Sequence, residues 1–159
     1  MAKRVCLYGI LTGVCIVLGY LEHFISFDFI APGIKLGLAN SVVLLLIIKK
    51  DIKGAFLTNT VRILMSAVLF SSPSVLIYSL PAGIVSTAVM ATMGRCRNFS
   101  VIGFSITGAA IHNIIQLLCA FLMFGNGVLY YSPFLLLAAL ISGSLIGILV
   151  KILSGKVRF

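Results

Sequence analysis

Apolar residues run along this chain in long unbroken blocks rather than in alternation. The blocks lie at about 4–22, 34–49, 54–71, 75–93, 100–124 and 134–153. A membrane-crossing helix needs about 20 apolar residues, usually about 17–25. The pattern therefore predicts six transmembrane helices in one domain covering 1–159. The second block is the shortest and carries Lys35 near its start. It spans only if Lys35 snorkels outward or faces a polar interior.

Polar and turn-forming residues separate the blocks. Lys49, Lys50, Asp51 and Lys53 divide the second from the third, and Ser71 to Ser74 with Pro73 divide the third from the fourth. Gly94, Arg95, Cys96, Arg97 and Asn98 come next. Gly125, Asn126, Gly127 and Pro133 precede the last block. Gly and Pro are the expected punctuation. The first such connection, residues 23–33, is unusually apolar, with Phe24, Phe27 and Phe29. It reads as an interfacial anchor or as a lid over an outward-facing pocket.

Composition sharpens the picture. Hydrophobic residues make up 61% of the chain and charged residues 9%, against about a quarter charged in soluble domains. Polar side chains are too few to cover a water-facing surface, so the lipid bilayer is the expected solvent. The first block is long enough to span and lacks a small-residue cleavage site, so it is expected to remain as helix one. The net charge of +9 does not indicate nucleic acid. That reading needs basic residues gathered on one face, often with exposed aromatics, whereas here they cluster between apolar blocks.

Those clusters set an orientation. Lys3 and Arg4, then Lys49, Lys50 and Lys53, then Arg95 and Arg97, and finally Lys151, Lys156 and Arg158 all fall on one side of a six-helix arrangement. Short cytoplasmic loops carry excess Lys and Arg. Both termini are therefore expected inside. Cys6, Cys15, Cys96 and Cys119 form no CxxC or zinc-like spacing; three of them lie inside apolar blocks and read as small buried hydrophobes.

A few polar residues interrupt the spans, where each is costly. Arg62 lies about 12 Å into the third helix, with Asn59 and Ser66 one turn to either side. His112 and Gln116 share a face of the fifth helix, with Gly108 a turn before and Asn113 turned by about 100° toward a neighbour. Lys35 and Asn40 enter on the second helix, and Glu22 and His23 end the first. All lie in the middle or outer half of the membrane. Two readings stay open: a set of interhelical hydrogen bonds, or an outward-facing polar cavity for a small anionic ligand lined by Glu22, Lys35, Asn40, Asn59, Arg62, His112, Asn113 and Gln116. Small residues also recur every four positions: Gly9 and Gly13; Gly33, Gly37 and Ser41; Ala139, Gly143 and Gly147. Such rows permit close helix contact, mostly internal, with a minority available to a partner protein.

Two stretches are similar to family signatures. Pro32-Gly33-Ile34-Lys35-Leu36-Gly37-Leu38-Ala39-Asn40 resembles PGxKLGLAN, and Gly108-Ala109-Ala110-Ile111-His112-Asn113-Ile114-Ile115-Gln116 resembles GAxxHNxxQ. Both belong to the bacterial Gx transporter family, also labelled heptaprenyl diphosphate synthase component I. The resemblance implies a multi-pass protein of the bacterial cytoplasmic membrane. Such proteins look like the substrate-binding S components of energy-coupling factor transporters, which pass vitamins or their precursors inward. Those S components dock a transmembrane coupling subunit, driven by ATPases, through small residues on helix one. Gly9 and Gly13 hold the corresponding place, as GxxxG rather than the usual AxxxA. The older label ties the family instead to isoprenoid diphosphate and quinone synthesis, and related genes to flavin-based electron transfer.

Catalytic readings fit the residues poorly. Prenyl diphosphate synthesis needs Asp-rich clusters that hold Mg²⁺ against a diphosphate, and the three acids Glu22, Asp28 and Asp51 are isolated. Thr107-Gly108-Ala109-Ala110 lacks the acceptor Thr of a covalent flavin site and has Phe104 in place of the acid. His23 and His112 lie at different depths and no CxxCH is present, so haem is unsupported. No motif places a serine nucleophile against His112. The expectation is an all-α integral membrane bundle of six transmembrane helices, N-in and C-in, without cofactor or metal and not catalytic alone. Two functions remain: a transport subunit binding a small anionic vitamin or isoprenoid- or quinone-related precursor from outside, or an accessory membrane subunit of isoprenoid-quinone synthesis or flavin electron transfer.

Overall fold

The computed structural model describes residues 2–24, 37–70, 72–94 and 99–156. Lys35, Gly33, the loop phenylalanines Phe27 and Phe29, Ser71 and the Arg95–Asn98 cluster lie outside the described residues, as do the side chains of His23 and Phe24. Among the described residues six α-helices follow one another: α1 (Ala2–Phe24), α2 (Leu38–Ile48), α3 (Ile52–Leu69), α4 (Leu76–Met93), α5 (Val101–Phe124) and α6 (Ser132–Lys156). Short 3₁₀ segments, Pro73–Val75 and Asn126–Tyr131, lead into α4 and α6. Five of the six helices are long and apolar enough to cross a membrane; α2 is the short one.

The exception organises the bundle. Over its 11 residues α2 is apolar nearly all round, and Ala39 and Ser41 to Ile47 are all buried. A helix hydrophobic on every face belongs in an interior. Accordingly α2 packs against each of the other five helices, which follow one another around it as α1, α3, α4, α5 and α6. Among the described residues α1 meets only α2 and α3 and does not touch α6. The outer helices turn large apolar side chains outward, among them Val5, Val68, Leu122 and Ile141, as a lipid-facing surface requires.

The α2–α3 turn explains how a short central helix reverses so tightly. Lys50 adopts a left-handed conformation, φ 63°. Its N–H donates to Ile47 O (2.9 Å) and that of Asp51 to Leu46 O (2.9 Å), the paired bonds of a Schellman ending. Asp51 then caps α3 by accepting from Gly54 N at 3.0 Å and accepts from the Tyr8 hydroxyl at 2.6 Å. Lys49 Nζ donates to Ser154 O at the end of α6, 2.9 Å away. These bonds gather the start of α1, the α2–α3 turn and the end of α6 at one end of the bundle, the end where the described basic clusters lie.

Two glycines bring α6 against α5. A Cβ on Gly143 would meet Ile106 Cα at 2.8 Å, and one on Gly147 would meet Ile102 Cα at 2.7 Å. This row therefore serves internal packing. Gly9 and Gly13 are exposed, and a Cβ on either would meet nothing within 4 Å. Pro133 falls inside the first turn of α6, where its missing N–H costs nothing.

Candidate functional site

Arg62 sits ten residues into α3, about 15 Å from the helix start, midway through a hydrocarbon core of about 30 Å. Its Nη2 donates to Asn59 Oδ1 at 2.7 Å and to Asn40 Oδ1 at 3.1 Å. Asn59, 4% exposed, is itself fixed by donating to Gly83 O (3.0 Å) and Thr87 Oγ1 (2.9 Å) on α4. One guanidinium thus ties α2, α3 and α4 together through neutral amide oxygens. Its Nε is buried and has no hydrogen-bond partner among the described residues; the only other such side-chain atom is Thr58 Oγ1.

Beside this network lies a cavity of about 170 Å³. All six helices contribute to its wall. Of the residues expected from the sequence, Glu22, Asn40, Arg62, His112, Asn113 and Gln116 line it, together with Ser66 and Gly108. Asn59 does not line it but holds Arg62 from one turn away. Asn113 also donates to Leu135 O on α6 at 2.8 Å, the neighbouring-helix contact its position suggested. Lys35 lies outside the described residues.

Glu22, 7% exposed, lines the cavity from the C-terminal end of α1, away from the basic clusters. Its carboxylate accepts from the N–H of Leu38, the first residue of α2. Gly37 precedes it with φ 79°, a left-handed turn that glycine adopts without strain. Gly37 offers no side chain to cap the helix, so a carboxylate from α1 does so. The negative group matches the positive end of the helix dipole. Tyr20 and Phe70 pack across α1 and α3 nearby, with ring centroids 5.1 Å apart.

The wall is mixed. Val43, Leu44, Ile63, Met90 and Ile146 supply apolar surface, while Ser79, Ser86, Thr87, Ser105 and Ser142 supply hydroxyls. The hydroxyls and α4's share were not legible from single positions. Their signal is the small-residue row Gly83, Thr87 and Ala91, all buried. A Cβ on Gly83 would collide with Ile63, and one on Gly108 with Met90. Among the described residues no group of three or more His, Cys, Asp or Glu is placed to hold a metal ion.

Residues 11–153 match the family described as Heptaprenyl diphosphate synthase component I. The chain belongs to that family. Its name designates a component of heptaprenyl diphosphate synthase, in keeping with a membrane-associated accessory subunit that is not catalytic alone. No curated protein and no solved structure matches the chain.

Proposed function

We propose that this chain is a non-catalytic binding subunit embedded in the membrane. It captures a small anionic molecule, a vitamin or an isoprenoid- or quinone-related precursor, in the cavity beside Arg62. Access is from the side opposite the basic loops, and those loops and both termini face the cytoplasm. The observation that carries this reading is Arg62 itself. A guanidinium near mid-membrane is held by amide oxygens, and its Nε has no partner among the described residues. Intramembrane cations mark ligand or ion pathways by default. The apolar and hydroxyl-bearing wall suits a small organic anion.

The test is mass spectrometry of small molecules that copurify in mild detergent, comparing the wild type with Arg62→Ala. The expected result is an anionic species enriched on the wild type and lost from a folded Arg62→Ala. Identical profiles, or enrichment of a neutral molecule, overturn the reading.

A second reading concerns partners, favoured by the exposure of Gly9 and Gly13. This face of α1 is where a membrane partner packs, either another component of the synthase or a transmembrane coupling subunit working with ATPases. Cross-linking from cysteines beside Gly13 in native membranes identifies which. Absence of any cross-linked partner removes this reading.

A further inference from the structure

The cavity differs between its two ends. A Cβ on Gly94 would lie 3.6 Å from Ile47 Cγ2, so α4 ends beside the last turn of α2, at the basic end of the bundle. Val101, at the start of α5, packs against the same core. At about 1.5 Å per residue, Met90 lies about 5 Å from that end and Leu44 about 6 Å. Arg62 lies about 15 Å along α3, and Gln116 about 22 Å along α5.

The deep part is apolar. Val43, Leu44, Met90 and Ile146 line it, and all belong to the hydrophobic core that fills the basic end. The hydroxyls nearest to it are already engaged: Ser86 donates to Gly83 O, and Thr87 accepts from Asn59. Beyond Arg62 the lining turns polar, with Ser66, Ser79, Asn113 and Gln116. A ligand that is polar throughout would bury unpaired polar groups against the floor, which is costly.

One contact sets the depth of that floor. A Cβ on Gly108 would collide with Met90 Sδ, so the thioether lies flat against α5 where glycine leaves room. Both residues line the cavity. The other surroundings of Met90 are buried core, and packed interiors hold few voids. A methyl at position 108 would therefore push the flexible Met90 side chain into the cavity.

We propose that the bound molecule is a compact amphiphile. Its anionic group sits at the level of Arg62, and one apolar group lies on the floor, its size gauged by Met90 and Gly108. An apolar cavity of about 150 Å³ accepts a benzene ring, so about 170 Å³ accepts a single ring or a branched chain of similar bulk. This inference rests on the binding role proposed above and adds which end of the ligand enters first.

The experiment uses simple carboxylates as probes. The thermal midpoint of the purified chain in mild detergent is followed against acetate, benzoate and 2-naphthoate. Benzoate should stabilise the wild type with an apparent affinity about tenfold or more above that of acetate, and 2-naphthoate should not stabilise it. Gly108→Ala should lose the benzoate shift and keep that of acetate. Met90→Ala should gain a 2-naphthoate shift, and the double variant should recover benzoate. Arg62→Gln should lose every shift. If acetate and benzoate act equally, or Gly108→Ala answers benzoate as the wild type does, while Arg62→Gln removes the shifts, the floor fails and the binding role stands. If no carboxylate shifts the midpoint, or Arg62→Gln changes none of the shifts, both fail. If Gly108→Ala does not fold, Met90→Ala decides: a gained 2-naphthoate shift supports the gauge, and its absence overturns it.

Discussion

Asn59 holds Arg62 from one helical turn away. Its carbonyl oxygen accepts from Nη2 at 2.7 Å while its amide nitrogen donates to Gly83 O and Thr87 Oγ1 on α4. The amide thus reads two helices with its two ends, orienting a charge that α3 alone would leave loose.

Replacing Asn59 removes both roles. Asn59→Ala leaves the Thr87 hydroxyl and one Arg62 donor short of a partner, while Gly83 O keeps the Ser86 hydroxyl, and an unmade buried hydrogen bond costs about 1–3 kcal/mol. The thermal midpoint in detergent should fall measurably. Asn59→Asp should fall less, because it keeps an acceptor for Arg62 and adds a compensating charge. A Tm for Asn59→Ala equal to that of the wild type would show that the network is slack.

Small-residue rows should separate by what lies opposite them. Gly147→Ala and Gly143→Ala drive a methyl into the α5 backbone, and overpacking of this kind costs about 1–3 kcal/mol. Gly13→Leu meets open space and should leave the Tm unchanged while weakening recovery of membrane partners. Loss of stability in Gly13→Leu would place that glycine in an internal contact.

Cysteines at Ser72 and Asn126 should react with an impermeant thiol reagent added outside intact cells, and one at Lys50 should not. Ser72 precedes α4 and Asn126 follows α5, both at the end of the bundle remote from Lys49, Lys50 and Lys53. The reverse labelling pattern would invert the proposed orientation and place the cavity mouth toward the cytoplasm.

Supplied with allylic and homoallylic diphosphates and Mg²⁺, the purified chain alone should form no longer prenyl diphosphate, as followed by chromatography of radiolabelled products. Asp51, one of its three acids, is engaged by Gly54 and Tyr8, and Glu22 by the start of α2. Turnover by the chain free of any synthase partner would refute this.

Much of the architecture was legible because lipid imposes a simple code. Long apolar blocks located the spans, and α4 and α5 begin and end within a residue or two of the expected limits. Arg62, His112 and Gln116 stood out because a polar group inside an apolar block is costly enough to need a reason. Residues whose polarity is cheap were harder to see. The Gly83 carbonyl is invisible in a side-chain pattern, and Thr87 and Ser105 pass as ordinary small helix residues. The brevity of α2 was also hidden. Its apolar block runs on to about residue 34, and only the left-handed turn at Gly37 marks where the helix begins.

Among the described residues α1 is the least enclosed helix of the bundle. Among those residues it leans only on α2 and α3, whereas α5 and α6 are pressed together backbone to backbone at Gly143 and Gly147. Gly9 and Glu22 lie on this same rod, about 20 Å apart along its axis. A partner that grips the glycines therefore holds a lever whose far tip is the carboxylate at the cavity. Tilting the rod would withdraw that tip from α2 without disturbing the opposite wall.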